Sequence, residues 1–291
     1  MQGLLPYFIN GISAGGQYAL IAIGYTLVYG ILRLINFAHG DVFMVAGLIM
    51  VYASASMPMY IALPLVIVAT ALLGFLIERA AYKPLRTAPR MSLMISAIGV
   101  SYLIQNLAFY ITGGQPQPVT NPIPWISDTI SVLGASTKRV TLVTPVLTIL
   151  LVLLLVWLTK KTKVGLAMRA ASKDFETAQL MGVKINSVIS FTFVIGSALA
   201  AVGAMLYFTN YPNVAIGSGS MPGLKAFVAA VFGGIGSIPG AVVGAFIIGL
   251  CEELIKAIQP TFSDAFTFVI LIVVLCVKPT GLFGEKVTDK V

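Results

Sequence analysis

The sequence predicts an all-α fold, a polytopic bundle of transmembrane helices with about eight or nine membrane segments. Two observations lead to this prediction. Of the 291 residues, 58% are hydrophobic and only 10% are charged, whereas a soluble domain carries about 25% charged residues. The longest polar stretches, of about 25 residues, are too short to form a domain with its own core. We therefore expect residues 1–291 to form a single transmembrane domain.

Apolar runs of the length that crosses a bilayer recur along the chain. We expect spans at roughly residues 7–31, 42–57, 60–79, 91–112, 141–158, 187–209, 223–257 and 262–277. The run 223–257 is too long for one simple crossing and contains GGIGSIPG at 233–240. Interrupted helices are common in transporters, so we expect two shorter helices that are joined at this motif.

The net charge of +8 is concentrated in two short segments, 78–90 and 160–184. Short basic loops between apolar spans follow the positive-inside rule, so both segments are placed in the cytoplasm. This distribution argues against nucleic acid as a partner. The N-terminus and the proline-containing loop 113–128 are then outside, and the C-terminus is inside.

Some glycines recur at a spacing of four residues, which puts them on one face of a helix. Close approach of helix backbones is the use that membrane proteins make of such a face. A pathway lined by backbone is the alternative. The glycines in question are Gly11, Gly15, Gly236, Gly240 and Gly244.

The sequence offers little for catalysis. It has neither a P-loop nor a GxSxG motif, and His39 is its only histidine. Cys251 and Cys276 lack the spacing of metal ligands. We therefore predict no catalytic residue, no metal site and no cofactor bound by this chain. An intramembrane hydrolase that uses His39 and a serine of GSGS (217–220) is an alternative.

The stretch LINFAHGDVF (34–43) is interpreted as a break between membrane helices. Asn36 and Asp41 could cap exposed backbone ends, and Gly40 permits conformations that other residues resist. His39 is then a polar residue that packs in the bundle or lines a pathway.

The second basic segment is amphipathic and predicts a short helix near 168–181, which Gly182 would end. Such a helix could be a solvated loop, could lie on the membrane, or could dock into a groove of a partner protein.

Within this segment, ETAQLMG (176–182) resembles the EAAxxxG loop of ATP-binding-cassette (ABC) importer permeases. The resemblance extends over nearly the whole chain. Residues 16–41, 96–106, 191–202, 221–245 and 278–284 are similar to the LivH-type permease family of branched-chain amino acid importers.

The resemblance implies an ABC importer permease fold in a bacterial cytoplasmic membrane, surrounded by lipid. Its implied partners are a LivM-type second permease, two ATPase subunits that use ATP and magnesium, and an extracytoplasmic substrate-binding protein. Residues 160–186 would be the cytoplasmic coupling loop, which sits in a cleft of the ATPase. The residues implied for coupling are Arg169, Asp174, Glu176 and Gly182.

A path for branched-chain amino acids needs an apolar surface together with polar groups for the charged ends. Helix termini at broken helices can provide such groups. The candidates are Asn36, His39, Asp41, Gln105, Asn106, Ser218 and Ser220. For each of them, a helix cap or an interhelical hydrogen bond is the alternative.

An ion-coupled secondary transporter or channel is the competing function. It would need ionisable groups embedded in the spans, and the sequence offers few. Glu252 and Lys256 are expected to form a pair within one helix at the membrane interface rather than a proton relay.

Overall fold

A computed structural model describes residues 3–86, 88–119, 123, 126–132, 135–278 and 280–284. In these ranges, eight helices are long and apolar enough to cross a membrane, which confirms the predicted all-α bundle. The α-helices are α1 (Leu5–Leu32), α2 (His39–Ser56), α3 (Met59–Ile77), α4 (Arg90–Thr112), α5 (Arg139–Lys161), α6 (Lys163–Lys173), α7 (Phe175–Leu180), α8 (Ile185–Asn210), α9 (Ser220–Gly233), α10 (Ile238–Ile258) and α11 (Ser263–Val277).

The strands described are short and belong to connections between helices. β1 (Gln117–Pro118) pairs with β4 (Asn213–Val214), and β2 (Thr129–Val132) pairs with β3 (Ala135–Lys138), both in antiparallel register. A π-helical turn and a 3-10 turn over residues 78–85 extend α3.

Helix α1 is the centre of the bundle. It packs against α5, α8, α9 and α10, and 83% of its most apolar 18-residue window is buried. The corresponding window of α4 is only 17% buried. Exposing an apolar helix face to lipid carries no free-energy penalty of the kind that water imposes, so α4 can remain at the periphery of the bundle.

The predicted interruption at GGIGSIPG lies between α9, which ends at Gly233, and α10, which begins at Ile238. Gly234 and Gly236 adopt φ values of +106° and +99°, which favour glycine. The Ser237 hydroxyl accepts the backbone N–H of Gly240 at 3.2 Å and caps α10. Gly236 therefore serves a turn, which corrects its predicted place on a helix-packing face.

The other glycines of that set lie where helix backbones approach closely. A Cβ atom added to Gly15 would lie 2.7 Å from Cα of Phe246, and one added to Gly11 would lie 2.9 Å from Cα of Leu250, so α1 and α10 are in backbone contact. Added Cβ atoms on Gly240 and Gly244 would collide with carbonyl oxygens of α9.

The two basic segments lie at the same end of the bundle, as their assignment to one compartment requires. The Arg86 guanidinium donates to the Asn186 side chain, and Arg33 donates to the carbonyl of Ser172 at 3.4 Å. The segment after α11 lies at the same end of the bundle, because the Leu282 N–H donates to the carbonyl of Phe232 near the end of α9 at 2.9 Å. The paired strands lie at the opposite end.

We expect Gly249→Ala to destabilise the bundle by about 1–3 kcal/mol, the usual cost of overpacking. The added methyl group would lie 2.5 Å from Cα of Gly15, where neither backbone can move independently. Thermal unfolding of the purified chain in detergent measures the effect. Gly99→Ala is the matched control, since an added Cβ there meets nothing within 4 Å. Equal transition temperatures for both variants would contradict the close contact of α1 and α10.

Candidate functional site

Helix α2 begins inside the bundle rather than at its surface. Arg33 ends α1 in the left-handed region at φ 55°. The chain then turns back, so that His39 packs against Gly24, and the rings of His39 and Tyr25 lie 4.9 Å apart. Gly24 precedes the end of α1 by eight residues. At a rise of ~1.5 Å per residue, α2 starts about 12 Å below the end of α1.

The start of α9 meets the start of α2 at this depth. A Cβ atom on Gly40 would lie 2.8 Å from the carbonyl oxygen of Gly219, and one on Gly223 would lie 3.0 Å from Cα of Gly40. From this contact α2 runs towards β1 and β4, and α9 runs towards the basic end. Two helix N-termini, each with a positive dipole end, therefore converge within the bundle.

A cavity of about 270 Å³, the Asp41 cavity, opens beside this meeting point. Its walls come from α1, the 33–38 connection, α2, α4 and α9. The lining residues are Tyr25, Phe37, Gly40, Asp41, Ile98, Ser101, Tyr102, Gln105, Ser220 and Leu224. The cavity brings together three of the predicted pathway residues, Asp41, Gln105 and Ser220.

Two of these residues bond to each other across the cavity wall. Gln105 donates from Nε2 to Oδ1 of Asp41 at 2.9 Å and lies 3.4 Å from the hydroxyl of Ser101. Asp41 is only 3% exposed. Its carboxylate therefore does not cap α2, as the sequence suggested, but is held by an amide from α4. Likewise, Gly40 is helical and permits the contact with Gly219 rather than a special backbone conformation.

The remaining pathway candidates do not line the cavity. Asn36 Oδ1 accepts the Ala38 N–H at 3.2 Å and the Tyr82 hydroxyl at 2.8 Å, but no side chain caps the first turn of α2. His39 is buried behind the wall. Asn106 donates to the carbonyl of its own helix four residues back at 2.7 Å. The Ser218 hydroxyl is buried and has no hydrogen-bond partner among the described residues.

Neither a metal nor a histidine-based nucleophile is supported by this geometry. Among the described residues, no group of three His, Cys, Asp or Glu side chains could hold a metal ion. His39 is enclosed by α1 and α2, and its Nε2 has no hydrogen-bond partner in the described chain. The Gly-rich segment with Ser218 and Ser220 lies beside the start of α2.

A second polar cluster, the Glu252 network, was only partly foreseen. The expected ion pair between Glu252 and Lys256 forms at 2.7 Å. However, Glu252 is 1% exposed, and it also accepts Lys225 Nζ at 2.8 Å and the Tyr18 hydroxyl at 2.8 Å. Lys225 reaches Asp264 at 2.6 Å as well. The network thus links α1, α9, α10 and α11.

The coupling segment consists of two helices, and not of the single helix predicted near 168–181. Asp174 is extended between them at φ −159°. Its carboxylate accepts the N–H groups of Glu176 at 2.9 Å and Thr177 at 3.2 Å, and the Thr177 hydroxyl at 2.6 Å. The hydroxyl contributes most to holding the pKa of Asp174 below its usual value. The cap is therefore charged at neutral pH.

The tip of this segment protrudes from the bundle. Leu180 and Met181 are 87% and 80% exposed at the end of α7, where Gly182 turns the chain at φ +85°. Arg169 anchors α6 by donating to the carbonyl of Thr159 in α5. Glu176 is exposed in the first turn of α7. We call residues Phe175–Met181 the coupling tip.

An ion pair that the sequence did not single out lies near the base of the coupling segment. Glu78 is fully buried and pairs with Arg86, and it accepts the Ser190 hydroxyl at 2.6 Å. In the sequence, both residues belong to the basic segment 78–90, and nothing local indicates that they pair. The pair fastens the end of α3 to the start of α8.

Comparison with known proteins gives consistent results. Residues 7–275 match the family model described as "Branched-chain amino acid transport system / permease component". The chain is 37% identical to the high-affinity branched-chain amino acid transport permease BraD of Pseudomonas aeruginosa, over 99% of this chain and 98% of that protein. It is 39% identical to the permease LivH of Escherichia coli, over 99% and 97%. Among solved structures, an inward-facing metal-chelate type ABC transporter matches with a TM-score of 0.53 at 17% identity, over 94% of this chain and 84% of that one.

We expect Glu252→Leu to destabilise the chain by about 3–5 kcal/mol, the range for breaking a buried ion pair. The substitution leaves the Lys225 ammonium with Asp264 alone and removes the acceptor of the Tyr18 hydroxyl. Adding Lys225→Met should recover part of the loss. Thermal unfolding in detergent measures both variants, with the exposed-site substitution Glu176→Leu as control. A Glu252→Leu variant as stable as the control would show that the network does not hold the helices together.

Proposed function

Because this chain belongs to the family of branched-chain amino acid transport permeases, we infer that it is the permease subunit of an ATP-driven importer for branched-chain or related neutral amino acids. It is a multi-pass protein of the bacterial cytoplasmic membrane. In this assignment, the spans provide the path for the cargo, and partner ATPase subunits bind and hydrolyse ATP with magnesium. The chain itself binds no cofactor.

The coupling tip is the observation that carries the ATP-driven part of the proposal. Two large apolar side chains, Leu180 and Met181, are exposed at the basic end of the bundle, which the positive-inside rule assigns to the cytoplasm. Exposed apolar side chains on a capped and anchored helix suit the surface of a partner protein. The ATPase subunits are the partners that such an importer needs at its cytoplasmic face.

A second permease of LivM type would complete the membrane part. Helix α4 forms one wall of the Asp41 cavity, and only 17% of its most apolar 18-residue window is buried. A second permease against α4 would enclose the cavity between the two subunits. At the opposite end of the bundle, the connections with the paired strands would receive the substrate-binding protein.

The contacts of the coupling segment suggest how ATPase motion reaches the spans. Arg169 ties α6 to the end of α5, and Arg33 at the end of α1 donates to the carbonyl of Ser172 in α6. Only a short connection separates Arg33 from the start of α2 at Asp41. Nucleotide binding to the ATPases can shift the permease between two conformations only if the ATPases bind those conformations with different affinity. In this proposal the coupling tip is the surface through which the ATPases distinguish the two conformations.

We expect ATP-dependent uptake of labelled leucine into proteoliposomes that hold this chain, its partner permease and the ATPases, with the binding protein added. Uptake should cease when any component or ATP is left out, since no single subunit supplies both path and energy. Uptake by this chain alone, driven by a proton or sodium gradient, would instead support the secondary transporter.

We further expect the double substitution Leu180→Ser and Met181→Ser to abolish recovery of the ATPases with the permeases. It should leave membrane insertion intact, because both side chains lie outside the bundle. Affinity purification from detergent extracts measures the association. Val277→Ser, at an exposed apolar side chain at the end of α11 on the same end of the bundle, is the control. Normal ATPase recovery with the double variant would disprove docking through the coupling tip.

A further inference from the structure

The Asp41 cavity holds a buried carboxylate that forms no ion pair within the part of the chain that the structure describes. Elsewhere in the described chain, the buried carboxylates are Glu78, Glu252 and Glu253, and each forms an ion pair with a lysine or arginine. Among the described residues, no basic side chain forms an ion pair with Asp41. Its side-chain partners are neutral, namely the amide of Gln105 and the hydroxyl of Ser101. Buried charges in membrane spans are normally paired, so this exception calls for a cation that the described residues do not supply.

Burial disfavours the ionised form of Asp41, and three nearby features oppose that effect. Asp41 lies in the first turn of α2, where the helix dipole stabilises a negative charge. The start of α9 adds a second positive dipole end through the contact between Gly40 and Gly219. The Gln105 amide donates rather than accepts. These groups partly compensate one negative charge, but none of them neutralises it.

The rest of the cavity wall fits an apolar group next to the charge. Ile98 of α4 and Leu224 of α9 line it together with Phe37. The volume of about 270 Å³ lies near the lower end of small-molecule sites, which run from about 300 to 1,000 Å³. The cavity thus suits a small molecule that has a positive end and an aliphatic part.

We propose that the Asp41 cavity is a site on the transport path that recognises the primary ammonium group of the cargo. The Asp41 carboxylate accepts hydrogen bonds from the ammonium, and Gln105 positions the carboxylate. The aliphatic side chain of the cargo lies against Ile98 and Leu224. This inference rests on the proposed function and narrows it, because it requires an amino acid and excludes neutral amides and urea, which carry no ammonium group.

Leucine uptake by the complete importer in proteoliposomes tests the proposal. Asp41→Asn keeps the size of the side chain and an acceptor for Gln105 but removes the charge. We expect it to lower uptake by about tenfold or more, the effect of losing a hydrogen bond between charged groups. Asp41→Glu should restore part of the uptake. Arg79→Gln, which removes a charge from an exposed side chain in the turn that extends α3, is the control and should transport as the wild type does.

Recovery of the purified complex and ATP hydrolysis stimulated by the loaded binding protein are measured alongside uptake. The proposal requires that Asp41→Asn keep both while uptake falls. Normal uptake by Asp41→Asn would overturn it. Loss of the partner permease from the complex would also overturn it, since the missing cation would then belong to that subunit.

Gln105→Met provides a second test of the site, and the wild-type importer tests the proposed function itself. If the Asp41→Asn chain does not fold and insert into the membrane, Gln105→Met, which removes the amide next to the carboxylate, should still slow uptake several-fold, since hydrogen bonds to charged groups are among the stronger ones. Wild-type uptake by Gln105→Met would then overturn the proposal. Absence of leucine uptake by the wild-type importer would refute the proposed function itself, a result distinct from failure of the Asp41 variants.

Discussion

The contact between the starts of α2 and α9 is the constraint on which the rest of the site depends. Gly40 meets Gly219 and Gly223 at distances that leave no room for a Cβ atom. Because the two backbones touch, both helices can begin inside the bundle rather than at its surfaces. Backbone groups at such a depth must be satisfied within the protein or line a cavity. The interruption of the helices and the Asp41 cavity are therefore consequences of the same packing.

The buried charges fall into two groups, those that form ion pairs within the chain and the carboxylate of Asp41. The Glu252 network and the pair of Glu78 with Arg86 join helices that are distant in sequence, and their charges compensate each other. Breaking such a pair leaves an uncompensated charge in a medium of low dielectric, so these groups fix helix positions. Asp41 lies in a similar environment without that compensation. The difference distinguishes a carboxylate that holds the bundle from one that is available to a ligand.

The local features of the fold could be predicted from sequence, and the distant contacts could not. The break between α9 and α10 follows from glycine and proline in one short motif, and the predicted spans follow from apolar length alone. The division of the coupling segment at Asp174 was missed, since apolar residues continue at helical spacing on both sides of the cap. Asp41 and Gln105 were recognised as polar residues in apolar surroundings. Their contact depends on how α2 and α4 pack, which no local pattern records.

A short route connects the cavity with α6 of the coupling segment. Arg33 at the end of α1 contacts α6 through the carbonyl of Ser172 at 3.4 Å, and the chain from Arg33 leads directly to the start of α2. Closely packed helices transmit a displacement instead of absorbing it, because their side chains cannot move independently. A shift of α6 therefore acts on α2 and, through the glycine contact, on α9. Since Asp41 and Ser220 lie at the starts of these two helices, a movement that separates them would change the cavity where the cargo is held. The same packing that creates the site would thus let the proposed coupling segment act on it.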